Sequence, residues 1–144
     1  DDFRQRYRPP VDDAVAIAEV VSRSRHGDQL QVVPRIADLD ELIQRISQLD
    51  VMVGTRLHAV ILAAGLGVPV VAIEYAPKVR GFMNAIHQDR WSIPLENFTA
   101  QHALANISEI LSTTTTVRQT LIEDVQTYRG PMADIDRLLK QVLL

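Results

Sequence analysis

Two short apolar runs, Val51 to Val53 and Val70 to Ile73, flank a stretch from Ala59 to Gly67 that carries no polar side chain. This arrangement constrains the fold more than any other feature. Apolar runs without period-two alternation read as strands buried on both faces, and an apolar helix between them reads as buried too. Strand, helix and strand at this spacing make a βαβ unit, which requires a parallel sheet.

The rest of the chain extends the pattern. Val11 to Ser24 has helical periodicity through Ala14, Ile17, Ala18 and Val21. Leu30 to Val33 reads as a strand ended by Pro34. Asp38-Leu-Asp-Glu41 resembles a capping box that opens a helix running to about Leu49. After the βαβ unit, Lys78 to Ile86 reads as a helix, Trp91 to Ile93 as a short strand with Trp91 as a core or interface anchor, and Ala100 to Leu111 as a helix. Thr113 to Thr116 reads as a loop, Thr116 caps the next helix, and Gly130-Pro131 breaks it before a last helix near Leu144. The expected fold class is α/β: a parallel sheet of three or four strands with helices on both faces. Right-handed crossovers are the default. The 144 residues suit one domain, with residues 113–144 as terminal helices.

Composition closes off several functions. Net charge is −3, without the basic surplus of a nucleic-acid binder. The absence of cysteine removes disulfides and thiolate metal sites and fits a reducing compartment, so the expected location is cytoplasmic. No run of about 18 apolar residues indicates a membrane span. The start, Asp1-Asp2-Phe3-Arg4, lacks an initiator Met and an apolar signal region, so a chain that begins inside a longer protein is expected. Arg4, Arg6 and Arg8 read as a solvated tail. His26, His87 and His102 lack ligand spacing. Asn97-Phe-Thr99 and Asn106-Ile-Ser108 match the glycosylation sequon, a match that arises often by chance.

Ligands of open parallel sheets bind beyond the carboxyl ends of the strands. Three strand-to-helix junctions therefore matter, all expected on one edge of the sheet: Pro34-Arg35, Gly54-Thr55-Arg56-Leu57-His58, and Glu74-Tyr75-Ala76-Pro77-Lys78. In the second, the only polar residues of an otherwise apolar helix sit in its first turn, where free N–H groups and the helix dipole favour an anion. Gly54 allows close approach to the backbone. Arg56 offers a planar fork for phosphate or carboxylate, and histidine, here His58, is the residue type that exchanges a proton near neutral pH. The structural alternatives are an ion pair between Arg56 and a carboxylate such as Asp50, and a backbone hydrogen bond for His58. In the third junction, Lys78 is one of two lysines against thirteen arginines, a compact charge suited to a phosphate oxygen. Glu74 could instead pair with Lys78 or Arg80, and Tyr75 could hydrogen-bond a ligand or simply sit half-buried.

Asp50-Val-Met-Val-Gly-Thr-Arg56-Leu-His58-Ala, followed by Gly67-Val-Pro69-Val-Val-Ala-Ile-Glu-Tyr75-Ala-Pro-Lys78-Val-Arg-Gly-Phe-Met, resembles the polysaccharide pyruvyl transferases. The ordered set carries the likeness: an acidic residue, a strand, Arg-Leu-His, an apolar helix, Gly-Val-Pro, a strand and Tyr-x-x-Lys. It spans about residues 38–83, and the flanks match only in pattern. The resemblance implies a Rossmann-like domain, the C-terminal half of a two-domain enzyme built like the GT-B glycosyltransferases. It implies transfer of the enolpyruvyl unit of phosphoenolpyruvate onto two hydroxyls of a sugar or polysaccharide precursor, giving a pyruvate ketal and phosphate. Phosphoenolpyruvate is then a co-substrate, with no other cofactor and no metal. Arg56 binds its phosphate or carboxylate, His58 binds it or moves a proton, and Lys78 adds an anion contact. Gly54, Thr55, Leu57, Glu74 and Tyr75 are further substrate-binding positions. A separate N-terminal half carrying the acceptor-binding residues is expected as partner, and the chain alone is expected to lack turnover.

Two other functions share these features. One is the donor half of a GT-B nucleotide-sugar glycosyltransferase or epimerase, which also binds phosphates at helix N-termini. The other is a non-catalytic α/β module that binds an anion or a partner.

Overall fold

A computed structural model describes residues 13–143, with side chains for residues 14–130. The chain divides into two compact units, meeting between Ala37 and Asp38.

In the first unit, α1 (Asp13–Arg23) is followed by a single 3₁₀ turn, Gly27–Gln29, and an irregular segment. The expected start of this helix at Val11 and the basic cluster at residues 4–8 lie outside the described residues. The expected strand Leu30 to Val33 is not formed. A strand exists only where a neighbour completes its ladder; Leu30, Val32 and Val33 are exposed, and no strand among the described residues pairs with them.

The second unit holds the sheet. Asp38 caps α2 (Leu39–Ser47), its carboxylate accepting from the Glu41 N–H at 3.2 Å. The reciprocal half of the capping box is replaced: the Glu41 carboxylate takes Arg45 Nε at 2.9 Å, one turn on. The strand β1 (Met52–Gly54) leads to α3 (Leu57–Gly65), then β2 (Val70–Glu74), α4 (Pro77–Ala85) and β3 (Ser92–Pro94). The three strands are parallel in the order β1-β2-β3. The register sets Gly54 opposite Ala72, Ala72 opposite Ser92, and Glu74 opposite Pro94. All five residues of β2 are buried. Successive side chains point to opposite faces, so both faces of the central strand are covered.

The return from α3 to β2 rests on a Schellman motif. The Gly67 N–H donates to the Ala64 carbonyl at 3.0 Å, and the Val68 N–H to the Ala63 carbonyl at 2.9 Å. Gly67 adopts φ +71°, a left-handed conformation costly for a residue with a Cβ. Two of the carbonyls left open at the helix end are thereby satisfied, and Val68 enters the core with 0% exposure.

The core is aliphatic: Val60, Ala63 and Ala64 of α3, Val71 and Ile73 of β2, Val79 and Met83 of α4, and Ile93 of β3. Trp91 seals it, 4% exposed, with the Arg90 guanidinium stacked 4.1 Å from its ring centroid. Then α5 (Ala100–Ser112), capped by Thr99, and α6 (Thr114–Leu143) add Ala103, Ile110, Leu121 and Val125.

Three expectations about the helices are corrected. The apolar α3 is not buried all round: Ile61 is 40% exposed, and the neighbouring Val53 of β1 47%. The stretch Thr113 to Thr116 is not a loop. Thr113 alone separates the two helices, because its hydroxyl and that of Thr114 donate to the open carbonyls of Glu109 (2.8 Å) and Ile110 (3.1 Å). Nor does Gly130-Pro131 end α6, which runs through to Leu143. Proline removes one helical hydrogen bond, and here the helix continues across the loss.

Candidate functional site

Because β1 and β2 are parallel neighbours, the segments leaving their carboxyl ends emerge on one edge of the sheet. The first of these segments is Thr55-Arg56, leading into α3; the second is Tyr75-Ala76, leading into α4. Two of the three expected junctions are therefore adjacent. The third, Pro34-Arg35, is not a strand end, since no strand precedes it among the described residues; Arg35 belongs to the first unit and lines an open cavity there with Val32, Val33 and Pro34.

Arg56 is the N-cap residue of α3, extended at φ −84° and ψ 126°, with no side-chain cap on the helix. Arg56, His58 and Thr55 are exposed and Leu57 is half-buried. The helix thus presents its first-turn N–H groups beside a cationic and an imidazole side chain. Capping by Ser, Thr, Asp or Asn would have consumed one of those donors. Gly54 is buried, and a Cβ on it would lie 2.9 Å from Val60 Cγ2. The glycine is accounted for by the close packing of α3 on β1.

On the second junction, Glu74 ends the central strand with its side chain only 6% exposed. Its Oε2 accepts from Arg80 Nε at 2.7 Å. A buried carboxylate is tolerable when paired in this way. The Arg80 guanidinium is held above its ordinary value, first by the hydrogen bond to Glu74 and then by that carboxylate's charge; desolvation opposes, and Glu96 adds a smaller push. Of the two partners the sequence offered to Glu74, Arg80 is the one engaged. Lys78 is exposed, its Nζ 5.7 Å from the ring centroid of Tyr75, which is 48% exposed. Pro77 opens α4 at its first turn, where a missing N–H costs nothing.

Glu96 escaped the sequence reading. It follows β3, so it emerges on the same edge as Tyr75 and lines a cavity with Glu74 and Arg80. The rule that selected the ends of the earlier strands, applied to Trp91 to Ile93, would have found it. Among the described residues no group of three or more His, Asp or Glu is placed to hold a metal ion. No described helix is long and apolar enough to cross a membrane. The sequon residue Asn106 is buried within α5, with Nδ2 lacking a hydrogen-bond partner.

The family model of the polysaccharide pyruvyl transferases matches residues 3–77. The chain belongs to this family. No curated protein and no solved structure matches it. The pyruvyl transferase match covers α1, α2, β1, α3 and β2, with Arg56-Leu57-His58 inside it. It reaches well upstream of residue 38, where the sequence showed a likeness in pattern alone, and it ends one residue short of Lys78.

Proposed function

We propose that this chain binds phosphoenolpyruvate at the entrance to α3 and serves transfer of its pyruvyl group to a sugar as a ketal. The observation that carries the reading is the family match across Arg56-Leu57-His58, a triplet that stands at a helix N-terminus on the carboxyl edge of a parallel sheet. Phosphoenolpyruvate is a small polyanion. Arg56 supplies a bidentate fork, the first turn of α3 supplies N–H donors, and Lys78 on the neighbouring junction supplies a further cation.

The reaction adds one proton to the methylene carbon of the enol, which becomes a methyl group. One sugar hydroxyl bonds to the adjacent carbon, phosphate leaves with the C–O bonding pair, and a second hydroxyl closes the ketal. The two hydroxyl protons balance the one taken up by carbon and one released with phosphate. His58 is the proposed group for a proton transfer. Arg56 and Lys78 stabilise charge on the departing phosphate.

The test is calorimetric titration of phosphoenolpyruvate into the longest chain the gene encodes, beside Arg56→Ala and His58→Ala variants. Losing charge-assisted hydrogen bonds at Arg56 is expected to weaken binding about 10- to 150-fold. Equal binding by all three proteins would remove the donor from this junction. Binding of UDP with none of phosphoenolpyruvate would point to nucleotide-sugar chemistry instead.

A further inference from the structure

The ends of β2 and β3 are level, with Glu74 opposite Pro94. A cavity of about 230 Å³ opens there, lined by Glu74, Tyr75, Ala76, Pro77, Arg80 and Glu96. Pockets for drug-sized ligands run to roughly 300–1,000 Å³. A single sugar ring is of a size to enter it.

Its charge decides which small ligand fits. Two carboxylates face one guanidinium, so the lining is negative overall and opposes a phosphate or carboxylate ligand. A metal cation is opposed as well, because Arg80 stands against Glu74 at 2.7 Å and occupies one of its oxygens. A neutral polyol meets neither obstacle. Hydroxyl groups donate to carboxylate oxygens and accept from guanidinium N–H groups, and both kinds of partner line the wall. Arg80 commits Nε to Glu74 while its side chain stays 55% exposed, so the pair is fixed without being sealed. Tyr75 adds an aromatic surface with a polar tip.

We propose that this cavity holds hydroxyl groups of the acceptor sugar, adding contacts from this chain to those expected of the separate half, with Glu74 and Glu96 accepting from them while Arg80 fixes Glu74. The need for a sugar acceptor rests on the pyruvyl-transfer reading. The cavity stands one strand over from the α3 entrance, and neighbouring strands are about 4.8 Å apart. Donor and acceptor are thereby brought side by side.

Ligand-observed NMR titration tests this on the longest chain the gene encodes, with methyl glucoside, methyl galactoside and methyl mannoside as probes and phosphoenolpyruvate titrated in parallel. Glu96→Gln and Tyr75→Ala change exposed residues and leave the core intact; Glu74→Gln is the third variant. At least one glycoside is expected to bind the unaltered chain and to weaken about tenfold in each variant. Glu96→Gln is expected to keep phosphoenolpyruvate affinity within about twofold. Arg56→Ala gives the opposite pattern. Glycoside binding unchanged in both Glu96→Gln and Tyr75→Ala, or absent from the unaltered chain, overturns the proposal. Glycoside binding that depends on Glu96 while phosphoenolpyruvate never binds overturns the donor reading alone.

Discussion

Adding one methyl group at Gly54 tests whether the α3 entrance is positioned by packing. A Cβ there would lie 2.9 Å from Val60 Cγ2 and 3.9 Å from Val70 Cγ1. Carbon atoms rest about 3.5–4.0 Å apart, so the first contact must open by roughly 0.6–1 Å. Val60 is 0% exposed and cannot withdraw into solvent. Its branched side chain has essentially one rotamer in a helix, so it cannot turn aside either. The remaining response is movement of α3 away from β1, at an overpacking cost of about 1–3 kcal/mol. Alanine also restricts the unfolded chain, offsetting about 0.4–1 kcal/mol. Gly54→Ala is therefore expected to destabilise by up to about 2.6 kcal/mol. In a Val60→Ala background the obstructing methyl is gone, and the same substitution is expected to be neutral or to stabilise by up to about 1 kcal/mol. Urea unfolding of the four proteins at constant m-value measures the coupling. Additivity within about 0.5 kcal/mol would refute the packing argument, since distant, independent sites behave that way. Movement of α3 also carries Arg56 and His58, so phosphoenolpyruvate binding should weaken in Gly54→Ala and recover in the double variant.

Two stability predictions stand beside it. Gly67→Ala places a side chain at φ +71° and about 3.1 Å from Ile122 Cγ1, and is expected to cost about 1–2 kcal/mol in thermal unfolding, with Gly67→Asn costing less. Asp38→Ala deletes the cap on α2 and is expected to cost about 1 kcal/mol in urea, while Asp38→Ser stays within a few tenths.

The sheet was legible because its strands are short apolar runs with glycine or proline at their borders. Val70 to Ile73 and the return through Gly67 left little freedom once a parallel ladder was assumed. Leu30 to Val33 misled for the same reason: an apolar run signals a strand only if something pairs with it, and periodicity holds no information about partners. The threonine stretch and Gly130-Pro131 carried loop and breaker chemistry, yet local hydroxyl bonds and a continuing helix prevailed, so intrinsic propensity was a weak guide there. At the candidate site, the order of residues was readable but burial was not. Arg56 looked like a cation in an apolar helix and is exposed; Glu74 looked like an optional ion-pair partner and is the buried member of the edge.

That contrast has a mechanical side. Glu74 ends a strand whose every residue is buried, paired with β1 over Val70 to Ala72 and with β3 over Ala72 to Glu74. Such segments open only when the whole domain does, whereas exposed helix entrances open locally and often. Glu74 is thus a fixed post, and Arg56, His58 and Lys78 are arms on looser mounts. A ligand that touches post and arms together loses little entropy to the first and more to the second.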